Sequence, residues 1–478
     1  SPVTLPELPA KKTVLWLIMA FFGLTLAVYG HSLTSDFVRW DDGMLVYENP
    51  AIREISPRSL FHIFSTYDPE LYIPFTFLTY QLNFLVGGQN PFIYHATNLL
   101  LHTLNALLVL WFTYLLSRKK WIALFCGLLF AIHPLHTEAV EWVSARKDVL
   151  STFFFLFSLV GYMYWRENGI KKTLILSLLA FALGLMSKVM VITLPVILLG
   201  IDWYEGRKWT RQMFLEKWPY IGLSIIFGII GVLGKTGVIQ SSTLSGKILM
   251  ACKSAVFYLV KLFWPTKLSL LYPYTKAITL TSPDFYIPII LLAVITGVGL
   301  WTLKWTRGVL FGLAFYIVTV APTFINFAKG GELDVYFASD RYAYVPSVGI
   351  FFAVGWILWK LCFFRTNDQI PNPNDQIGHW SLRHWSFLTI LTASTVVCSF
   401  LAYRQSLVWR NTETLFQNVL AHYPESSHVA HNNLGNVYRL RNEYDKAISE
   451  YKQAIAIRPH AKTISNLGAV YRKQGNFS

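Results

Sequence analysis

The chain has 478 residues, of which 54% are hydrophobic and 16% aromatic, and only 14% are charged, against roughly 25% in soluble domains. This composition excludes an ordinary soluble globule and predicts an all-α, polytopic membrane protein. The net charge of +15 does not indicate a nucleic-acid partner, because the basic residues lie in short runs between apolar segments, as membrane-topology signals do.

The first apolar run extends from Thr13 to about Leu33, after a polar segment, residues 1–12, that ends in Lys11 and Lys12. It is longer than a signal-peptide core and lacks a clear cleavage site, so we expect an uncleaved span with a cytoplasmic tail. Ten further apolar runs follow. Together they predict eleven spans, at residues 13–33, 92–116, 121–137, 149–165, 173–187, 189–203, 218–234, 285–303, 308–326, 344–362 and 385–403.

Basic residues between the runs predict the orientation of the spans. Clusters such as 118–120 and 171–172 fall on the cytoplasmic side if the first span runs outward. Residues 247–264 are ambiguous, because three lysines interrupt an apolar stretch and favour a helix in the outer interface over a span. A twelfth span here would move the C-terminal segment to the opposite side of the membrane.

The C-terminal residues 411–478 are polar and contain a repeat. The positions that define a tetratricopeptide repeat of about 34 residues are occupied by Leu434, Gly435, Tyr438, Ala447, Tyr451, Ala454 and Pro459. Parts of a preceding and a following repeat flank this unit, and we expect the array to continue beyond Ser478. Such an array is a concave platform for extended polypeptides, so a polypeptide partner is expected.

Two adjacent carboxylates, Asp41 and Asp42, follow the first apolar run. Charges held beside hydrocarbon lose hydration, so their presence favours a function. They could act as a general base, or could anchor a metal ion or a sugar. A solvated acidic pair in the first loop is the structural alternative.

A second polar cluster lies in the short outer loop predicted between the third and fourth spans. His136, Glu138 and Glu141 could ligate a divalent metal. No single helical register gathers all three together with His133, and hydrogen bonds that order the loop are the alternative. Arg146 and Lys147 are adjacent cations that suit a lipid-linked phosphate. Snorkelling cations at a helix end are the competing interpretation.

Two further clusters lie near the predicted outer face. Lys188 stands alone between two apolar runs and needs a counter-charge or a phosphate. Asp340 and Arg341 follow a glycine pair at residues 330–331 and precede a span. The guanidinium of Arg341 offers a planar fork for phosphate, oriented by Asp340, unless the two residues only pair with each other.

Acidic residues in one outer loop and basic residues in the others predict a cleft at the interface between lipid and water. Glycosyl transfer from a polyprenyl phosphate sugar needs a carboxylate to take the acceptor proton and cations to stabilise the departing phosphate. The alternatives are a lipid or polysaccharide acceptor, and a non-catalytic scaffold that docks partners through its repeats.

Blocks along nearly the whole chain resemble the transmembrane and tetratricopeptide repeat-containing (TMTC) family of the GT-C glycosyltransferase superfamily. They are Trp40-Asp41-Asp42, Asn90-Pro91-Phe92 with His95 and Asn98, residues 129–134 through Arg146-Lys147-Asp148, Ser187-Lys188, Leu271-Tyr272-Pro273-Tyr274 and Asp340-Arg341-Tyr342. The resemblance implies an inverting, protein O-mannosyltransferase-like enzyme that uses a dolichyl or bacterial polyprenyl phosphate sugar. It also implies eleven spans, with the active site and repeats on the exoplasmic side of a plasma membrane or the endoplasmic reticulum.

Carried over by position, the resemblance implies Asp41 or Asp42 as the base. Candidates for binding the lipid phosphate are Arg146, Lys147, Lys188 and Arg341, and candidates for the acceptor or sugar site are His136, Glu138, Asp340 and Tyr342. Animal members tend to have Tyr-Arg-Pro where this chain has Tyr72-Ile73-Pro74, so mannose is an extrapolation. We expect a tail at 1–12, a transferase domain at 13–404 and a repeat domain at 405–478.

Overall fold

The computed structural model describes residues 10–67, 71–234, 243–328, 336–363 and 382–474. Within these ranges the regular structure is helical, apart from one isolated β-bridge between Pro273 and Tyr336, which confirms the predicted all-α class. The α-helices are α1 Lys11–Tyr29, α2 Pro57–Ser65, α3 Pro74–Gly87, α4 Pro91–Ser117, α5 Lys120–Ile132, α6 Thr137–Glu141, α7 Arg146–Asn168, α8 Lys171–Ser187, α9 Leu194–Tyr204, α10 Arg211–Leu215, α11 Trp218–Leu233, α12 Leu244–Phe263, α13 Pro283–Trp301, α14 Gly308–Val320, α15 Ser347–Phe363, α16 Leu382–Ser406, α17 Thr412–His422, α18 His428–Leu440, α19 Tyr444–Ile457 and α20 Ala461–Lys473.

Six helical segments in the described ranges are long and apolar enough to cross a membrane, so the chain is a multi-pass membrane protein. A seventh is added if α5 and the segment Pro134–Glu141, which are bent by 51° at His133, form one broken span. The six segments are Lys11–Thr34, Pro91–Ser117, Val143–Asn168, Arg211–Leu233, Pro283–Lys304 and His384–Arg410.

The predicted number of eleven spans is not confirmed. Helical segments lie at every predicted run, but Val189–Tyr204, Gly308–Phe324 and Ser347–Phe363 have only 10–17 residues. A straight 17-residue helix is about 26 Å long, which is shorter than a hydrocarbon core of about 30 Å. Helix α12, in the ambiguous region, is not among the six segments. Helix α3 was not predicted.

Helices α14 and α15 pack closely through two glycines. A Cβ atom added to Gly312 or to Gly349 would lie 2.3 Å from the carbonyl oxygen of the other residue, so any side chain here would push the helices apart. The 3₁₀ turn Asp340–Ala343 lies shortly before α15. Close packing of these helices therefore helps to fix the turn that carries Arg341.

The C-terminal end of α7 carries a buried network of charges. Arg166 pairs with Asp202 at 2.8 Å and also with Glu205. Lys217 pairs with Asp202, and neither side chain is exposed. Two further residues complete the network, since Arg207 donates to both carboxylate oxygens of Glu216, at 2.5 and 2.7 Å. The network ties α7 to α9, α10 and α11.

Helices α17 to α20 lie in the region that is predicted to carry the repeats. Within the predicted unit, α18 and α19 pack against each other, and a Cβ atom on Gly435 would lie 2.6 Å from the ring of Tyr451. Helix α19 ends two residues before Pro459, as the predicted stop requires. The glycine is therefore needed for close approach of the two helices.

Candidate active site

The candidate site forms where four segments meet: the loop after α1, the start of α7, Lys188 at the end of α8, and the turn Asp340–Ala343. Asp41, Lys147, Lys188 and Arg341 are electrostatic neighbours in this region. Residues up to 300 positions apart in sequence are thus brought together. The glycine pair 330–331 lies outside the described residues.

The two adjacent aspartates have different environments. Asp42 is 1% exposed, and its carboxylate accepts hydrogen bonds from the backbone N–H of Val38 at 2.9 Å and from the N–H and Oγ of Ser144 at 2.9 and 2.5 Å. Burial raises the pKa of Asp42 to about 6, although these hydrogen bonds oppose the shift. Asp42 therefore joins the first loop to the segment that precedes α7.

Asp41 is partly buried, and its carboxylate has no hydrogen-bond or ion-pair partner within the described ranges. Lys147 and Arg341 are nonetheless close enough to interact with it electrostatically. The Asp41 carboxylate lies near cations and makes no hydrogen bond or ion pair with the described residues. It is therefore available to accept a proton from a bound molecule. Of the two candidate bases, only Asp41 has this freedom.

Arg146 is fully buried, and each of its three guanidinium nitrogens bonds to the chain itself. Nε donates to Asn98 Oδ1, Nη1 to Thr79 Oγ1 at 3.3 Å and Nη2 to the carbonyl oxygen of Tyr94 at 2.8 Å. The guanidinium also lies 5.2 Å from the ring centroid of Tyr80. These contacts anchor the start of α7 to α3 and α4, and they do not favour a role in phosphate binding.

Lys147 and Lys188 line a cavity of about 50 Å³. Lys147 is 5% exposed, donates to the carbonyl oxygen of Ser144 at 2.9 Å and forms no ion pair with any described residue. Lys188 pairs with Asp148 and also lines a second cavity of about 30 Å³, together with Arg341. The three cations thus line two small cavities, and Lys188 borders both of them.

Arg341 pairs with Glu138 and not with Asp340. Its Nη1 donates to Oε1 of Glu138, and its backbone N–H donates to Oε2 at 3.0 Å. Asp340 instead accepts from the hydroxyl of Tyr272 at 2.7 Å, and burial together with the Glu138 carboxylate raises the pKa of Asp340. Asp340 therefore does not orient the guanidinium by direct contact.

The four residues predicted for the acceptor or sugar site are placed differently. His136 is fully buried, with Nδ1 bonded to the carbonyl oxygen of Phe130 at 2.8 Å and Nε2 to Ser347 Oγ at 3.0 Å. Glu138 is bound to Arg341, and Asp340 accepts a hydrogen bond from Tyr272. Only Tyr342 lies beside the open space, since it lines the smaller cavity and its ring is 5.3 Å from Lys188 Nζ.

The structure gives no support to a metal centre at His136, Glu138 and Glu141. No three His, Cys, Asp or Glu side chains in the described part of the chain converge as metal ligands would. Glu141 is 1% exposed, in the same short helix as Glu138.

An apolar groove of about 560 Å³ lies between α11 and the start of α9. Residues such as Pro195, Ile225 and Gly228 line it. Neighbouring residues of α11, Phe227 and Ile230, line the cavity that contains Lys147 and Lys188. One helix therefore borders both an apolar groove and a cationic cavity.

Two residues of this region, Trp142 and Ser144, were not predicted as part of the site. Ser144 binds Asp42 from 102 positions away, and Trp142 lies beneath Lys147 and Arg341. Both fall between α6 and α7, where no periodicity guides interpretation. The one available signal was a tryptophan directly after Glu141 in a segment rich in charged residues.

Comparison with known proteins finds two kinds of similarity, one to a repeat family and one to named enzymes. A family model described as TPR repeat matches residues 435–475. Protein O-mannosyl-transferase TMTC1 of Homo sapiens is 35% identical over 159 residues, which are 31% of this chain and 18% of that protein. TMTC4 of Mus musculus is 31% identical over 194 residues, 36% of this chain and 25% of that protein. The chain is therefore similar to TMTC proteins over about a third of its length.

The predicted resemblance to the TMTC family is therefore confirmed, although the matched region spans only about a fifth of the length of these TMTC relatives. Two solved structures are also similar at 13% identity. The Archaeoglobus fulgidus oligosaccharyltransferase tethered with an acceptor peptide has a TM-score of 0.45 and covers 91% of this chain and 59% of that one. ArnT from Cupriavidus metallidurans bound to undecaprenyl phosphate has a TM-score of 0.42 and covers 98% and 79%.

Proposed function

We propose that the chain is a membrane glycosyltransferase that moves a sugar, by extrapolation mannose, from a polyprenyl or dolichyl phosphate to a Ser or Thr hydroxyl of a polypeptide. Similarity to proteins named protein O-mannosyl-transferase supports the reaction class. We further propose a GT-C-like transferase domain at residues 13–404, a repeat domain at 405–478, and an exoplasmic position for the site and repeats.

The observation that carries the proposal is the environment of Asp41. Its carboxylate has no bonded partner in the described structure, whereas Asp42, the next residue, is fully hydrogen-bonded. Asp41 also faces Lys147 and Arg341. A carboxylate with cations close by matches the needs of glycosyl transfer to a hydroxyl.

In the proposed reaction, the carboxylate of Asp41 takes the proton of the acceptor hydroxyl. The hydroxyl oxygen attacks the anomeric carbon, and the bond between that carbon and the phosphate oxygen breaks. The phosphate leaves with the electron pair, and Lys147, Lys188 and Arg341 stabilise its negative charge. A single displacement inverts the configuration at the anomeric carbon.

The apolar groove suits the isoprenoid tail of the donor. It lies against α11, which also borders the cavity of Lys147 and Lys188. A lipid in the groove would place its phosphate near the cations while its tail remains among apolar side chains. The repeat segment would present the acceptor polypeptide.

The proposal is tested with purified protein in detergent, a polyprenyl phosphate mannose with a labelled sugar, and Ser- or Thr-containing peptides. We expect label on the peptide with inverted configuration, and no label with Asp41→Asn. Transfer of equal rate by the Asp41→Asn protein would exclude Asp41 as the base. Label found only on lipid or polysaccharide would favour the alternative acceptor.

A further inference from the structure

Trp142 lies under two of the cations proposed to bind phosphate. Its side chain is fully buried between α6 and α7. Lys147 Nζ is 5.3 Å from the centroid of its ring, and the guanidinium carbon of Arg341 is 4.9 Å away. An indole ring attracts cations through its quadrupole, most strongly where water is excluded. The ring therefore helps to hold two positive charges near each other.

Trp142 is itself held from two directions. The Asn98 amide donates to its carbonyl oxygen at 3.0 Å, and the same Asn98 accepts from Arg146. The ring of Trp409, which is 2% exposed, stacks on that of Trp142 with centroids 6.1 Å apart and an angle of 27° between the planes. Trp409 belongs to the turn Leu407–Arg410, which joins α16 to α17.

The segment from Trp409 into α17 also contacts the loop that carries Asp41. The backbone N–H of Arg39 donates to Thr412 Oγ1 at 2.8 Å, and the rings of Trp40 and Phe416 lie 6.1 Å apart. One segment thus touches both the residue before the proposed base and the ring beneath two proposed phosphate-binding cations.

We propose that Trp142 is a positioning residue for the donor phosphate, acting through Lys147 and Arg341, and that Trp409 with the start of α17 holds it in place. This inference rests on the proposed function. It assigns residues 407–422, which fall in the predicted repeat domain, to the transferase unit instead. The repeats would then be joined rigidly to the site and not tethered beside it.

The test measures binding of decaprenyl phosphate to the full chain in detergent micelles, together with KM and kcat for the sugar-loaded donor. Trp142→Leu removes the aromatic face, and Trp142→Phe keeps part of it. We expect Trp142→Leu to weaken decaprenyl phosphate binding about tenfold and raise the donor KM in parallel, with kcat changed much less. Trp142→Phe should restore most of the affinity, and Trp409→Leu should fall between the two.

Trp121→Leu is the matched control, because Trp121 also stacks on an aromatic ring, Phe363, and lies 5.7 Å from the ammonium of Lys120. It should leave donor affinity unchanged. Wild-type affinity in folded Trp142→Leu, or a Phe variant as weak as Leu, would overturn the inference. If Trp142→Leu does not fold, wild-type donor affinity in Trp409→Leu overturns it.

The same measurements separate this inference from the proposed function. A wild-type protein that binds decaprenyl phosphate, with the expected order of variants, but transfers sugar to no hydroxyl would overturn the proposed function alone. A wild-type protein that binds no decaprenyl phosphate would overturn both. Transfer with unchanged donor KM in the Trp142 variants would overturn the positioning role alone.

Discussion

The two ends of α7 carry similar charges but use them differently. At the Arg166 end, three cations and three carboxylates are joined in direct ion pairs, among them Lys217 with Asp202. At the other end, about 30 Å away along the helix, Lys147, Lys188 and Arg341 face Asp41, Asp148 and Glu138. There only Lys188 and Arg341 form ion pairs within the described residues, and Asp41 and Lys147 do not pair directly.

This difference separates a structural network from a candidate site. Buried charges are costly unless they are paired, so a fully paired set is explained by packing alone. At the other end, Asp41 and Lys147 form no ion pair with described residues, which makes the folded state less stable. A bound substrate that interacts with these charges can offset this loss. Pairing, not the number of charges, distinguishes the two ends.

The largest expected effect is on activity at the Asp41 end. Asp41→Asn should reduce the rate of sugar transfer by about 10²–10⁴-fold, because it removes the proposed general base. The free energy of unfolding should change by no more than about 0.5 kcal/mol, because the carboxylate bonds to no described residue. Rates of single-turnover transfer and chemical denaturation in detergent measure the two effects. A large loss of stability would make Asp41 structural.

The converse is expected at the Arg166 end. Asp202→Asn leaves Lys217 buried without its full partner and should destabilise the protein by about 3–5 kcal/mol. Transfer per folded molecule should stay within about twofold of wild type, since the network contacts no proposed substrate. Denaturation followed by activity assays of the folded fraction tests this. If Asp202→Asn lost activity but not stability, the Arg166 network would have a functional role, and the proposed difference between the two ends of α7 would be wrong.

The pH dependence of stability sharpens the contrast within the acidic pair. Because burial raises the pKa of Asp42 from 3.8 to about 6, the folded state holds this proton more tightly than the unfolded state. The contribution of Asp42 to stability is then fully present below about pH 3.8 and is lost as the pH rises through 6. The loss is about 3 kcal/mol at 1.36 kcal/mol for each pKa unit.

Denaturation of wild type and Asp42→Asn between pH 4 and 7 measures this effect. The stability of the wild type relative to the variant should fall across the range. If the difference in free energy of unfolding between wild type and Asp42→Asn did not change with pH, Asp42 would not have the raised pKa expected from its burial.

The smallest effect is expected from shortening the repeat segment. Removing residues 425–478 deletes α18 to α20 but keeps Trp409 and α17. Donor affinity should be unchanged, while the KM for a peptide acceptor should rise several-fold because the platform is lost. Steady-state kinetics with the peptide and the donor varied in turn measure both values. An unchanged peptide KM would show that the repeats do not present the acceptor.

Much of the fold was predictable because apolar runs and repeat spacing are local signals. The helices of the long apolar runs, their approximate positions and the approach of α18 and α19 at Gly435 follow from such signals, whereas α3 was not predicted. The number of spans did not follow, since short apolar helices such as α9 and α15 are not distinguished from spans by composition. The helix lengths in the structure show which apolar runs are too short to cross the membrane as straight helices.

The candidate site was predictable in its residue types but not in their roles. Asp41 and Asp42 are equivalent in the sequence, and the difference arises from Ser144, 102 positions away. Arg146 and Lys147 are adjacent, but successive residues of a helix are rotated by about 100°, so one side chain enters the core and the other faces the cavity. The partner of Arg341 proved to be Glu138 and not its neighbour.

The close contact of Gly312 with Gly349 has a consequence for variation within the membrane. A methyl group at either position would force α14 and α15 apart, because the position of a Cβ atom is fixed by the backbone and would overlap the carbonyl oxygen of the other helix. The guanidinium of Arg341 lies in the turn just before α15 and would move with it. An alanine substitution among these apolar helices would thus weaken the proposed binding of the donor phosphate, which the substituted residue does not contact.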